Sequence, residues 1–355
     1  MNLPATPQIT LMVHYNDYLQ LDKILNAQEP ESDKGGQPAH DEMLFIVIHQ
    51  AYELWFKQLL FETGSVIDIM KQPALNDNSP ELQTVVHRLS RCSTILKVLV
   101  HQIDVMETMT PMDFLDFRDK LRPASGFQSW QFKLLEARLG LKYEHRFGQQ
   151  YYVSQLRQPE VELIKNAEKE CSLLELVNTW LERMPFLMSE GDSFWAGYRL
   201  RYQESLADSE KANLAYFDTI FFHAGGSPAT SSGTESPSPA EPVDRSLSPT
   251  ACRAALFIML YRGYPLLQLP FQVLNQLLEI DEQLSTWRYR HMSMVHRTIG
   301  TRIGTGGSTG KDYLSSALTK HHIFKEIAGL TSFLIERRRL PQLSLEMERQ
   351  LGFAH

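Results

Sequence analysis

Two histidines set among aromatic and apolar neighbours, His49 and His291, are the residues of this chain best suited to chemistry. An imidazole can exchange a proton near neutral pH, hydrogen-bond through either nitrogen, or ligate a transition metal. His49 lies in LFIVIHQAYELWF (Leu44 to Phe56), with Phe45 one turn before it and Tyr52 and Phe56 on the turns after. His291 lies in STWRYRHMSMVHRTIG, just ahead of the glycine-rich GTGGSTG (Gly304 to Gly310). Residues at i−4, i+3 and i+7 share a helix face, so both rings are directed among groups that offer them few partners. The plainer alternative is a pair of interior histidines bonded to backbone carbonyls.

Other groups fit an amphoteric aromatic ligand. Arg118, in DFLDFRDKLRPASGFQS, follows Phe114 and Phe117. A guanidinium among aromatic rings is suited to a bidentate carboxylate contact, and the competing reading is a surface arginine on a helix. Ser125 opens the next helix, where an N-cap is its ordinary role. Thr305 stands in a loop of four glycines, where backbone can approach a ligand and the hydroxyl is a polar handle. Tyr15 and Tyr18 share a helical face and suit either a core or a ligand contact.

Several functions are disfavoured. GTGGSTGK is no P-loop, because Thr305 stands where the first glycine belongs and Asp312 follows Lys311. His291 and His296 are five apart, roughly 140° around a helix, and adjacent His321 and His322 diverge as well. Three cysteines, Cys92, Cys171 and Cys252, form no metal, haem-attachment or disulfide spacing. A net charge of −7 speaks against nucleic acid and anionic membrane surfaces as partners. No apolar stretch approaches the ~20 residues that cross a bilayer, and the first residues lack a secretory pattern. The expected compartment is the cytoplasm.

The elements that must carry these residues are helices. Apolar positions recur at three and four residues over Glu42 to Thr63 (with Asp41 as cap), Pro80 to Met109, Met112 to Leu121 and Gly126 to Leu139. The same pattern predicts helices over Val161 to Ala167, Ser172 to Met184, Thr250 to Tyr261, Pro270 to Ile299 and Asp312 to Glu336. Alternating strand patterns are scarce, so the predicted fold is all-α. Residues 225–249, rich in Pro, Ser, Gly and Thr, read as a disordered insertion rather than a linker, since the helices on either side carry apolar faces that need each other.

The stretches YNDYLQLDKILNAQ, HDEMLFIVIHQAYELWFKQLLFE, ETMTPMDFLDFRDKLRPASGFQSWQFKLLE, LLELVNTWLER and WRYRHMSMVHRTIGTRIGTGGSTGKDYL resemble the tryptophan 2,3-dioxygenase family from about residue 15 to residue 335. The resemblance implies a single large helical bundle enclosing a b-type haem, assembled as a homotetramer. It also implies an enzyme that opens the pyrrole ring of L-tryptophan with O₂ to give N-formyl-L-kynurenine, the first step of the kynurenine pathway. His291 matches the axial ligand of the haem iron, and His49 the residue that hydrogen-bonds the indole N–H. Arg118 matches the carboxylate clamp and Thr305 the ammonium contact, with Phe45, Phe114 and Ser125 lining the pocket. Tyr15 and Tyr18 match residues that reach a neighbouring subunit's site, making 1–40 an intersubunit segment and 41–355 the catalytic domain. The insertion at 225–249 and the sequence RGYP (Arg262 to Pro265), which lacks acidic residues between Arg and Pro, depart from the family pattern. Two alternatives stand beside this reading: an offshoot that oxygenates a modified tryptophan, and a haem-binding sensor without catalysis.

Overall fold

The computed structural model describes residues 12–146, 153–184, 191–222, 245–300, 302 and 321–352. All regular elements among the described residues are helical, as predicted. Three short N-terminal helices, α1 (Tyr15–Leu19), α2 (Leu21–Leu25) and α3 (Glu31–Lys34), precede the long α4 (His40–Met70) and α5 (Pro80–Met106). Then come α6 (Pro111–Arg118), α7 (Trp130–Leu139), α8 (Gln158–Lys169), α9 (Leu173–Glu182), α10 (Gly191–Ser205) and α11 (Ala212–Phe221). The second half adds α12 (Pro249–Leu260), the longest helix α13 (Pro265–Ile299), α14 (Lys325–Gly329) and α15 (Leu345–Gln350).

A 3.5-residue repeat organises the core. On α5 the buried positions are Leu82, Val85, Leu89, Cys92, Leu96, Leu99, Ile103 and Met106, spaced alternately by three and four. The same spacing runs through Phe56, Leu59, Thr63, Val66 and Met70 on α4, and through Leu267, Pro270, Leu274, Leu277, Asp281, Leu284 and Arg288 on α13. Such seams keep one face of a long helix turned to its neighbour. Thus α5 packs along α4 on one side and α13 on the other. Each fully buried Leu or Ile contributes about 1.5–3 kcal/mol. Extended by one repeat, the α4 seam reaches Tyr52, His49 and Phe45, and the α13 seam reaches His291. Both histidines therefore lie where core-facing seams leave the apolar interior.

Some boundaries differ from expectation for local reasons. Helix α4 starts at His40 with Ala39 as its N-cap, so Asp41 lies inside the first turn rather than capping it. An acid there still complements the N-terminal partial charge. The helix predicted over Asp312 to Glu336 is broken where it is described. Backbone N–H groups of Ile323 and Phe324 donate to the Asp281 carboxylate at 3.0 and 3.1 Å, and α14 begins directly after them. A 3-10 turn (Leu330–Phe333) follows, and the chain is extended from Leu334. Residues 225–244 of the predicted insertion lie outside the described residues, but its end is packed rather than disordered. Ser246 and Leu247 donate backbone N–H groups to Glu326 at 2.6 and 3.1 Å, and Arg245 donates to the Thr219 and Ile220 carbonyls ending α11. Phe217 and Phe221 share one core cluster with Ala251, Ala255 and Phe257, so the helices flanking the insertion do bury each other's apolar faces.

The α13 seam turns ionic at Asp281 and Arg288. Glu136 of α7 accepts from Arg288 Nη2 on one oxygen and from Arg146 Nη1 on the other, each at 2.7 Å, with all three side chains buried. Burial alone would raise the pKa of Glu136, but the two guanidinium groups outweigh it and hold it at about 2. His321 Nδ1 lies 4.0 Å from the same carboxylate. Burial nonetheless pushes this ring down to about 4, so it is neutral at pH 7. Between pH 6.5 and 4 the unfolded chain takes up a proton there that the folded chain refuses, so this part of the stability is present above about 6.5 and lost as pH falls to 4. His321→Asn is expected to flatten the fall of Tm over that window. A variant profile parallel to the parent's would contradict this.

Candidate functional site

Helix α6 owes its position to a capping box. Thr110 Oγ1 accepts from Asp113 N–H at 3.3 Å, while Asp113 Oδ2 accepts from Thr110 N–H at 2.9 Å. That box aims Phe114, Phe117 and Arg118 at α4. Phe117 is fully buried and packs with Ile48, Met106 and Met109, with Phe45, Phe114, Leu121 and Met294 around them. Ring centroids of Phe45, Phe114 and Phe117 lie 5.4–5.7 Å apart. These are ordinary aromatic packing distances, and together the rings make one apolar wall. Arg118, the last residue of α6, is only 5% exposed, which rules out the reading of it as a surface arginine.

His49 sits at the edge of this wall, its ring 4.2 Å from that of Phe45. Its Nδ1 lies 2.7 Å from the Phe45 carbonyl. A carbonyl can only accept, so Nδ1 carries the proton and Nε2 is left as an acceptor in the neutral ring. The plain reading of a backbone-bonded histidine is thus correct for one nitrogen and silent about the other. Burial lowers the pKa of His49, against weaker opposing effects of the Phe45 carbonyl and Glu53, and the ring is neutral at pH 7. Its surface is nevertheless open, as expected for a side chain lining a concavity rather than filling a core.

His291, on α13, lies within electrostatic reach of His49. Its ring stacks on Trp287, one turn earlier, at 5.1 Å and 12°. Trp287 is wedged in turn against Phe132, Tyr52 and Phe56 at 5.0, 6.2 and 6.5 Å. Tyr52 is held from the other end, its hydroxyl donating to the Leu99 carbonyl at 3.0 Å. This aromatic wedge joins α4 to α13, and the two histidines project beyond it. Burial first, and then the charge of His49, push His291 down to about 4. The two rings are therefore near enough to interact, yet no hydrogen bond joins them. His291 Nδ1 is buried without a hydrogen-bond partner among the described residues.

A neutral imidazole with an orphaned buried nitrogen, fixed by stacking on Trp287, fits a residue that would hold a haem iron. Among the described residues no cluster of three His, Cys, Asp or Glu side chains could hold a metal ion directly. A haem needs only one such side chain.

The other predicted residues are placed unequally. Phe45, His49 and Phe114 come together, Arg118 is buried at the end of the helix that carries Phe114, and His291 lies within electrostatic reach of His49. Ser125 is the N-cap its sequence context predicts, its hydroxyl oxygen accepting from Phe127 N–H at 3.3 Å and its O–H remaining able to donate. Tyr15 and Tyr18 are 68% and 74% exposed on α1, which buries nothing, so this protomer does not bring them to the pocket. Thr305 lies outside the described residues. Sequence reasoning passed over Trp287 and Met294. Only the i−4 spacing of Trp287 from His291 could have signalled the first.

The tryptophan 2,3-dioxygenase family model matches residues 8–219 and 239–334, with the interruption falling at the start of the proline- and serine-rich stretch. The tryptophan 2,3-dioxygenase of Bdellovibrio bacteriovorus is 42% identical over 364 residues, covering 96% of this chain and 98% of that protein. That of Alteromonas mediterranea is 44% identical over 363 residues, covering 96% and 97%. The Xenopus laevis protein of the same name is 42% identical over 360 residues, covering 95% and 86%. Matches of this extent, over nearly the whole chain, establish that it belongs to the tryptophan 2,3-dioxygenase family.

Proposed function

We propose that this chain cleaves the C2–C3 bond of L-tryptophan with O₂ to give N-formyl-L-kynurenine, the opening step of the kynurenine pathway. A b-type haem held by His291 would supply the activation of O₂. The neutral imidazole of His291 is the form able to ligate, and its stacking on Trp287 fixes the plane of the ring. On the opposite side the unprotonated Nε2 of His49 accepts the indole N–H, which orients the substrate without needing to take its proton. Phe45 and Phe114, backed by the fully buried Phe117, pack against the indole and exclude water from it.

Arg118 pairs with the substrate carboxylate, Ser125 donates from its free O–H, and Thr305 meets the ammonium. Reading both charged ends makes the site selective for the intact amino acid. Positioning of this kind lowers the barrier by removing the entropy cost of alignment. The exposed apolar and aromatic residues of 1–40, with Tyr15 and Tyr18 foremost, support a role for that segment at a neighbouring subunit's pocket. In this reading 41–355 is the catalytic domain of a cytoplasmic homotetramer. No helix among the described residues is long and apolar enough to cross a membrane.

The observation that carries the proposal is the neutral His291, whose buried Nδ1 has no hydrogen-bond partner among the described residues, within electrostatic reach of His49 at the edge of a phenylalanine wall. Its test is to incubate ferrous protein with L-tryptophan under ¹⁸O₂ and weigh the product. N-formylkynurenine carrying two labelled oxygens is expected, from a species sedimenting as four protomers. A singly labelled hydroxylated product would instead indicate the offshoot. Absence of both turnover and any tryptophan-induced change in the haem spectrum would favour the sensor.

A further inference from the structure

Arg288 stands three residues before His291 on the same seam of α13, and its guanidinium serves two partners at once. Nη2 donates to Glu136 at 2.7 Å and Nη1 donates to the His321 carbonyl at 3.0 Å. Those bonds tie the turn of α13 that carries His291 to α7, and to the strand of chain that returns along α13 at 321–324. The connection continues past Glu136. Arg146, bonded to its other oxygen, donates through Nη2 to the Lys133 carbonyl at 3.0 Å. Lys133 Nζ in turn donates to the Phe127 carbonyl at 2.5 Å, inside the turn that Ser125 caps. An unbroken series of buried polar contacts thus runs from the helix bearing the axial histidine to the turn beside the substrate's carboxylate end.

Stability alone does not account for this network. Apolar side chains of the same volume are commonly as stabilising as a buried ion triad, and the seam uses leucine at Leu267, Leu274, Leu277 and Leu284. What an ionic fork adds is direction. Apolar seams allow a helix to rotate or slide slightly at little cost, whereas a two-pronged guanidinium fixes both angle and register.

We propose that Arg288 is a positioning residue for His291, and that Glu136 is its anchor. The fork sets the rotation of α13 at the turn carrying the imidazole and holds that turn in a fixed relation to the Ser125 turn. The inference rests on the axial role proposed above for His291.

Arg288→Lys keeps the charge but cannot reach both partners, and Glu136→Gln keeps the shape but removes the anion. Both are made in the full-length holoprotein. Each is read by haem content, by the iron–imidazole stretching band of the ferrous form in resonance Raman, and by kcat and KM. The expected result is retained haem, a shifted or broadened band, and kcat lowered about 10- to 100-fold, because displacements on the order of 1 Å cost that much. KM is expected to stay within about threefold in Arg288→Lys, which leaves the Glu136–Arg146–Lys133 contacts to the Ser125 turn in place. Variants with a lower Tm but the parent's band and kcat would overturn the proposal, as would failure of both to fold, which would make the network structural. A parent protein with no iron–imidazole band would overturn the axial reading itself, a result distinct from unchanged variants.

Discussion

His291→Ala is expected to yield a folded protein that has lost tight haem binding. Folding should survive because the imidazole gives the chain little that alanine removes. It is buried in its neutral form, and its Nδ1 has no hydrogen-bond partner among the described residues, so no protein bond is broken. The cost is a ring-sized gap beside Trp287, of the order of a large-to-small core substitution, about 2–5 kcal/mol. Haem affinity should fall by more than about 100-fold, since losing even an outer-sphere partner of a metal ligand costs 10- to 100-fold. The measurement is the absorption spectrum of the purified variant and its haem-to-protein ratio. Added imidazole should enter the vacated space and restore part of the spectrum. A variant with the parent's spectrum and full haem content would return His291 to the status of an interior ring.

Arg118→Leu should raise KM for L-tryptophan by about 100-fold or more while leaving the fold intact. The arithmetic is direct. Hydrogen bonds to a charged partner are worth about 1.5–3 kcal/mol each, and a forked pair supplies two, against about 1.4 kcal/mol per tenfold. Leucine keeps an apolar stem at a position that is 5% exposed. Lysine should not rescue the loss, as an ammonium cannot match both carboxylate oxygens. Indole substrates lacking the carboxylate provide the control, since their weak turnover should not change. Steady-state kinetics on both substrates decide the matter, and an unchanged KM for tryptophan would remove Arg118 from the clamp role.

The three long helices were legible because their apolar spacing is local and strong. Alternating steps of three and four along α5 can be read from Leu82 to Met106 without knowing what they face. His49 was legible for the same reason, since its aromatic neighbours at i−4, i+3 and i+7 announce a shared face. Short helices were harder. The pieces α1 to α3 bury almost nothing, so they lack the periodic signal that burial imprints on sequence. The predicted single helix over Asp312 to Glu336 misjudged a start that is fixed from far away, by the Asp281 carboxylate on α13. No pattern near residue 323 records that partner.

The candidate site divides along the same line. Residue types and local spacing determined the all-α class, the seams and the histidines that interrupt them, and motif resemblance supplied their roles. Tertiary structure decided that positions 49 and 291 come within electrostatic reach of one another, that Arg118 is buried rather than solvated, and that Arg288 bonds Glu136 across 152 positions of chain. Helical periodicity fixes the direction of a side chain about its own axis. It carries nothing about which helix lies opposite, because that choice is made by the summed packing of whole faces.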